Sequence, residues 1–338
     1  MKLAELRSLI SSHKSEDLQT IIVELYKKIP KKTIEEHHMD ELVRDPGSYA
    51  RLAKALKNEP QQTLEELEPD IVEFVANAKK QYYFAPNSII RKADRPKWRF
   101  IVKRFIHDLQ LTIDTPEDTA RAAELLEQLY ALLCEAGDYI LFSTDDPFRS
   151  VGIPQERLYS IIVQMVRKNE EPKKWVTKAV SLAIEHSLGR ETLHATLWLA
   201  LLDHLNTAPL KELAIEEAER LLADAKTQLR LVTKKSSDAW NKEYAARSKI
   251  ESLTELVLYC RFALSEYEEG AQFFLQHDPS SSREVTYYML LLRLLRASQK
   301  DLWLRFYQQA IREGVPVRDS LIKADQTIRE TGHLPAYL

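Results

Sequence analysis

Seven glycines in 338 residues constrain this chain more than any other feature of it. Average usage would supply roughly three times as many. Sheets, barrels and phosphate-cradling folds spend glycine on tight turns, bulges and loops where backbone must approach a ligand. Helices joined by short links do not. The glycines stand at 47, 137, 152, 189, 270, 314 and 332, too far apart for GxGxxG, a Walker A loop or GxSxG. Nucleotide cradles and nucleophile elbows in their standard forms are therefore excluded.

Apolar spacing agrees with the helical reading. Trp98, Ile101, Val102, Phe105 and Leu109 recur at i, i+3, i+4, i+7 and i+11. Start and stop signals divide the rest. Leu3, Leu6 and Ile10 form one stripe. Ser15 reads as an N-cap before Leu18, Ile21, Ile22 and Leu25, Pro30 ends that helix, and Thr33 reads as the cap of a third. Arg51 to Leu56 belongs to a fourth, and Thr63 to Lys80 forms a longer one with Pro69 as a break or new first turn. Asp94 reads as a cap with Pro96 following. Thr115-Pro116-Glu117-Asp118 is the cleanest start signal, and Gly137 reads as its stop. After Pro154 the spacing predicts helices at 155–168, 172–187, 191–205, 209–232, 238–266, 269–276, 282–298, 300–313 and 317–331. Short links between long amphipathic helices make antiparallel neighbours. The expected fold is all-α, with antiparallel helix pairs stacked as an irregular α-solenoid, a superhelix of the HEAT or TPR kind. No residue-level repeat accompanies it. Three regions are expected: an N-terminal helical lobe at 1–84, central helices at 85–153, and a C-terminal helical-repeat region at 154–338.

The net charge is -3, so nucleic-acid affinity would have to come from a local patch. Cys134 and Cys260 each sit inside an apolar helical pattern and read as free buried thiols, as in a reducing cytoplasm. The charged start of the chain lacks the apolar core of a signal peptide, and no run of about 18 apolar residues predicts a membrane span. No cofactor is expected. In Glu35-Glu36-His37-His38-Met39-Asp40-Glu41 the adjacent histidines point about 100° apart on a helix, which ill suits a shared metal ion. HExxH and paired CxxC are absent, so no metal or catalytic residue is assigned.

Two segments stand out. Residues 79–104 carry Lys79, Lys80, Arg91, Lys92, Arg95, Lys97, Arg99, Lys103 and Arg104 against the single acid Asp94, with Tyr82, Tyr83, Phe84, Trp98 and Phe100 interleaved. Arg91, Lys92, Arg95, Lys97, Arg99, Phe100, Lys103 and Arg104 are the candidate anion or nucleic-acid site: cations hold phosphates and an exposed ring stacks a base. The competing expectation is that Glu65, Glu66, Glu68, Asp70 and Glu73 neutralise these cations across a helix pair, with Phe100 packed on a third helix. The long connection 138–153 is the second segment. Its Phe142, Asp145, Asp146, Phe148 and Arg149 could anchor a partner or plug the fold's own groove.

The segments Glu16-Asp17-Leu18 through Leu25-Tyr26-Lys27-Lys28-Ile29-Pro30, Arg95-Pro96-Lys97-Trp98-Arg99-Phe100 and Phe142-Ser143-Thr144-Asp145-Asp146-Pro147-Phe148 resemble an uncharacterised bacterial family of all-helical cytoplasmic proteins, known as a domain of unknown function. The resemblance covers about half of the chain, mostly its N-terminal side, and implies a bacterial source but no activity. The first two helices also resemble small helix-extended-loop-helix DNA-binding modules. The usual turn glycine is missing at Ser12-His13-Lys14. Three functions remain: a non-enzymatic scaffold for a protein or peptide partner, which is the leading expectation; a nucleic-acid-binding module using segment 79–104; and an enzyme with a helical cavity and no standard motif. No membrane partner is expected, and the oligomeric state is open.

Overall fold

A computed structural model describes residues 3–36, 39–47, 62–113, 115–232 and 239–337. Among them every regular element is helical and there is no strand. The chain divides into two compact units, residues 1–61 and 62–338.

In the first unit, α1 (Leu3–Ser12), α2 (Ser15–Tyr26), α3 (Lys31–Glu36) and α4 (Met39–Arg44) are short. Ser15 opens α2 as its first residue and does not cap it; Lys14 holds the cap position without a side-chain bond. Thr33 likewise lies inside α3, which starts directly after Pro30. α3 packs on α4, and the Tyr26 hydroxyl donates to Asp40 from α2 to α4. The helix expected over Arg51 to Leu56, and His37 and His38, lie outside the described residues.

The second unit holds α5 (Leu64–Lys79), α6 (Trp98–Leu111), α7 (Pro116–Asp138), α8 (Pro147–Val151), α9 (Gln155–Asn169), α10 (Pro172–Ile184), α11 (His194–His204), α12 (Ala208–Leu231), α13 (Ala239–Ala263), α14 (Tyr267–His277), α15 (Arg283–Arg296), α16 (Lys300–Arg312) and α17 (Asp319–Thr331). The Thr115 hydroxyl accepts from the Asp118 amide at 3.1 Å, as its sequence requires. A capping interaction also starts α5, where the Thr63 amide donates to Glu66 at 3.0 Å. α5 runs unbroken through Pro69, and α7 runs through Gly137 to Asp138. A Cβ on Gly137 would meet only the Leu188 carbonyl at 3.8 Å, so nothing there demands a glycine stop.

Packing follows chain order. α7 meets α5, α6 and α9; α9 meets α10 and α11; α10 meets α12; α12 lies along α13, and α13 along α14. One continuous apolar core runs from Leu64 to Cys260. Both expected boundaries, at 84/85 and 153/154, fall inside it, because Tyr83, Trp98, Phe142 and Leu158 contribute to the same core. The break in the chain lies earlier, at 61/62. A second cluster gathers Phe274, Leu290, Leu294, Trp303, Phe306, Leu321 and Ile328 around Leu258. Cys134 and Cys260 are buried free thiols. No described helix is long and apolar enough to cross a membrane.

Candidate functional site

The amphipathic stripe of α6 decides which side chains face outward. Trp98, Val102, Phe105, Ile106 and Leu109 are buried. The opposite side then carries Arg99, Phe100, Lys103, Arg104 and His107, all exposed. Phe100 is 61% exposed and packs on no third helix. The Arg99 guanidinium lies 4.9 Å from its ring centroid, a cation–π contact that holds charge beside an open aromatic face.

The preceding acids do not neutralise this face. Glu65 and Glu68 pair with Arg121 on α7, Asp70 accepts from Gln62, Glu66 caps α5, and Glu73 accepts from Asn77. Lys79 pairs with Glu135 at 3.3 Å. Among the described residues, Arg91, Lys92, Arg99, Lys103 and Arg104 make no ion pair and are exposed. Two candidates leave the set. The Arg95 guanidinium donates to the Ile90 and Asn87 carbonyls at 3.2 and 3.4 Å, so it ties the 87–95 loop together. Lys97 pairs with Asp94 at 2.8 Å, and this bond holds the Asp94 carboxyl below its ordinary range. Asp94 therefore does not cap the turn at Arg95–Lys97 as expected, because its side chain is taken by Lys97.

His107 extends the face by one turn, a residue the sequence reading passed over although it lies four residues after Lys103. Its Nδ1 lies 3.0 Å from Oδ1 of Asp108, a fully buried carboxylate whose other oxygen has no protein partner.

The 138–153 connection is a plug, not a partner loop. Phe142 is 1% exposed and stacks on Trp98 at 4.0 Å and 12°. It also neighbours Phe74 and Tyr83 at 6.2 and 6.0 Å. Phe148 is buried against Tyr130. Asp146 is buried as the N-cap of α8, accepting from the Arg149 amide at 3.0 Å. Asp145 and Arg149 stay exposed, and each pairs with the 189–192 loop: Asp145 with Arg190 at 2.9 Å and Arg149 with Glu191 at 3.2 Å. Phe142 thus locks the floor under α6, and Phe148 fastens the connection to α7.

Behind the plug lies a polar cluster that sequence reasoning missed. Gln155 is fully enclosed, with its Nε2 within 3.0 Å of Tyr130 Oη and the Ser187 carbonyl and 3.3 Å from Cys134 Sγ. Its Oε1 accepts from the Gly189 amide at 2.6 Å. Burial pushes the Cys134 thiol up to about 12, so it is an inert packing group and not a nucleophile. No group of described His, Cys, Asp or Glu side chains could hold a metal ion. No protein family, curated protein or solved structure matches this chain.

Proposed function

We propose that the protein binds single-stranded nucleic acid through the outer side of α6 and the loop before it. One observation carries the reading: Arg91, Lys92, Arg99, Lys103 and Arg104 face solvent outside any ion pair among the described residues, around an exposed Phe100. Unpaired cations gain most from a polyanion, since no internal ion pair must break and counterions leave the phosphates. The open ring adds a stacking surface that any base can use. Within this reading the face binds and does not catalyse.

Fluorescence anisotropy with a labelled oligonucleotide tests it. Affinity should fall with salt, with a log–log slope of about -0.7 per phosphate neutralised on a single strand. Arg99→Glu with Lys103→Glu should weaken binding more than tenfold. Phe100→Ala should cost about 1–3 kcal/mol on a single strand and much less on a duplex. Binding that is flat in salt, or indifferent to the double charge reversal, removes the reading, as does affinity for anionic vesicles alone.

A second reading, a non-enzymatic scaffold for a protein or peptide partner, draws support from the serial packing of α12 to α16. Stacking of that kind is how an α-solenoid builds an extended recognition surface. Use of the full chain as bait in host lysate tests it, and recovery of no reproducible partner counts against it. The two free buried thiols support the cytoplasmic setting that the bacterial resemblance implies.

A further inference from the structure

A cavity of about 370 Å³ lies between α8, the start of α9 and the 189–192 loop. All of its walls belong to the second unit, and the volume suits a small molecule. Two buried polar side chains line it with bonding capacity to spare. Thr192 is 9% exposed, and its Oγ1 has no partner among the described residues. The bare Cα of Gly189 keeps space beside that oxygen: a Cβ there would lie 3.4 Å from Oγ1 and 3.1 Å from Cδ2 of Phe148. Asp146 is also 9% exposed. Its Oδ1 accepts from the Arg149 amide, while Oδ2 has no partner among the described residues.

The walls call for both signs of charge. α9 begins at this cavity behind Pro154 with no side-chain cap, and the amides of Arg157 and Leu158 are the first to bond back, to the Pro154 carbonyl. The positive end of a 15-residue helix and a hydroxyl donor favour an anionic group. The carboxylates of Asp146 and Glu156 favour a cationic one, and Arg149 is taken by Glu191 at 3.2 Å. A plain anion would meet those carboxylates, and a plain cation would face the helix start. Ile153 and Phe148 add an apolar wall. We propose that this cavity binds a free α-amino acid with an aliphatic side chain. Its carboxylate meets Thr192 Oγ1 and the first turn of α9, its ammonium meets Oδ2 of Asp146, and its side chain lies against Ile153. Such a ligand carries both charges on one carbon and satisfies both buried groups at once. The site is separate from the cationic side of α6 and needs no nucleic acid.

Isothermal titration calorimetry on the full chain, without nucleic acid, tests the site with L-leucine, isocaproate and isoamylamine. The last two are leucine without its ammonium and leucine without its carboxylate. L-leucine should give a saturable heat, and each truncated probe should bind about tenfold more weakly or worse, as expected when a charged hydrogen bond is lost. Thr192→Val keeps the shape and removes the hydroxyl. It should weaken L-leucine about tenfold and leave isoamylamine unchanged. Asp146→Asn keeps a cap on α8, since Asn caps as well as Asp, and removes the charge. It should weaken L-leucine about tenfold and leave isocaproate unchanged or tighter. Misfolding cannot imitate this crossed pattern, because it would weaken every probe alike. No heat with L-leucine overturns the proposal. So does isocaproate binding as tightly as L-leucine, which marks a plain anion site, or isoamylamine doing so, which marks a plain cation site. L-leucine affinity that survives both substitutions puts the ligand elsewhere and overturns it as well.

Discussion

Gln155 ties three parts of the second unit together with one side chain: Tyr130 and Cys134 of α7, its own α9, and the Ser187–Gly189 turn. Replacing it with leucine, a side chain of similar size, leaves the Gly189 amide and the Ser187 carbonyl without this partner. Each buried group left without a partner costs about 1–3 kcal/mol, so Gln155→Leu should lose about 2–6 kcal/mol in urea unfolding. A loss below ~1 kcal/mol would mean that water reaches the turn. His186 stands beside this cluster, edge-on to Tyr130 at 5.5 Å, and burial lowers its pKa. His204 and His277 are lowered by the same cause. A histidine whose folded pKa lies below its unfolded value stabilises the fold above about pH 6.5 and loses that contribution as pH falls through the folded pKa. Burial raises the carboxyls of Glu127 and Glu251, which works in the opposite direction at lower pH. The melting temperature should therefore drop between about pH 7.5 and 5.5, and His186→Gln should make that drop shallower. An equal drop in wild type and variant would show that His186 titrates as freely when folded as when unfolded.

At the scale of the element, α6 and the 138–153 connection depend on each other. Phe142 fills the space between Trp98, Phe74 and Tyr83, so it sets the floor on which the cationic side of α6 rests. Phe142→Ala should cost about 3–5 kcal/mol by leaving a cavity. Below its lowered melting point it should leave the salt slope of nucleic-acid binding unchanged, since no cation of the face is removed. Chemical denaturation and anisotropy together check this. The elements themselves were legible in the sequence because their limits are local chemistry: Thr115 before Pro116, Pro154 before α9, Gly314 after α16. Gly137 misled because a glycine without positive φ is simply a helix residue; Gly152, Gly314 and Gly332 are the ones that adopt it. The cationic candidates were legible as a group and not as individuals. Arg95 and Lys97 look like Arg99 and Lys103 in sequence, but partners in the 87–95 loop take them. Whether Glu65 and Glu68 would face α6 or α7 depended on Arg121, more than fifty residues away. Phe142 and Gln155 were illegible for the same reason, since their partners converge only once the helices have packed.

At the scale of the whole molecule, α13 joins two cores. Its second half is buried almost all round, including Ser252 and Thr254, which marks a central helix and not a surface one. Leu253, Leu256, Val257 and Cys260 belong to the core that begins at Leu64, whereas Leu258 belongs to the cluster of Trp303 and Ile328. The Glu255–Arg293 ion pair, with both side chains close to nine-tenths buried, fastens α15 to the same helix. Two adjacent sites on one helix therefore report on two different cores. Leu253→Ala and Leu258→Ala each remove the same atoms from a fully buried position and each should cost about 2–5 kcal/mol. If the cores unfold as separate cooperative units, hydrogen exchange will sort the variants by side. Leu258→Ala should speed exchange in α15 and α16 while α7 and α9 keep their protection. Leu253→Ala should expose α7 and α9, and with them α15 and α16, because the smaller cluster has no support once α13 loosens. Equal acceleration of every helix by both variants would mean that the second unit opens only as a whole, with α13 as an ordinary member of one undivided core.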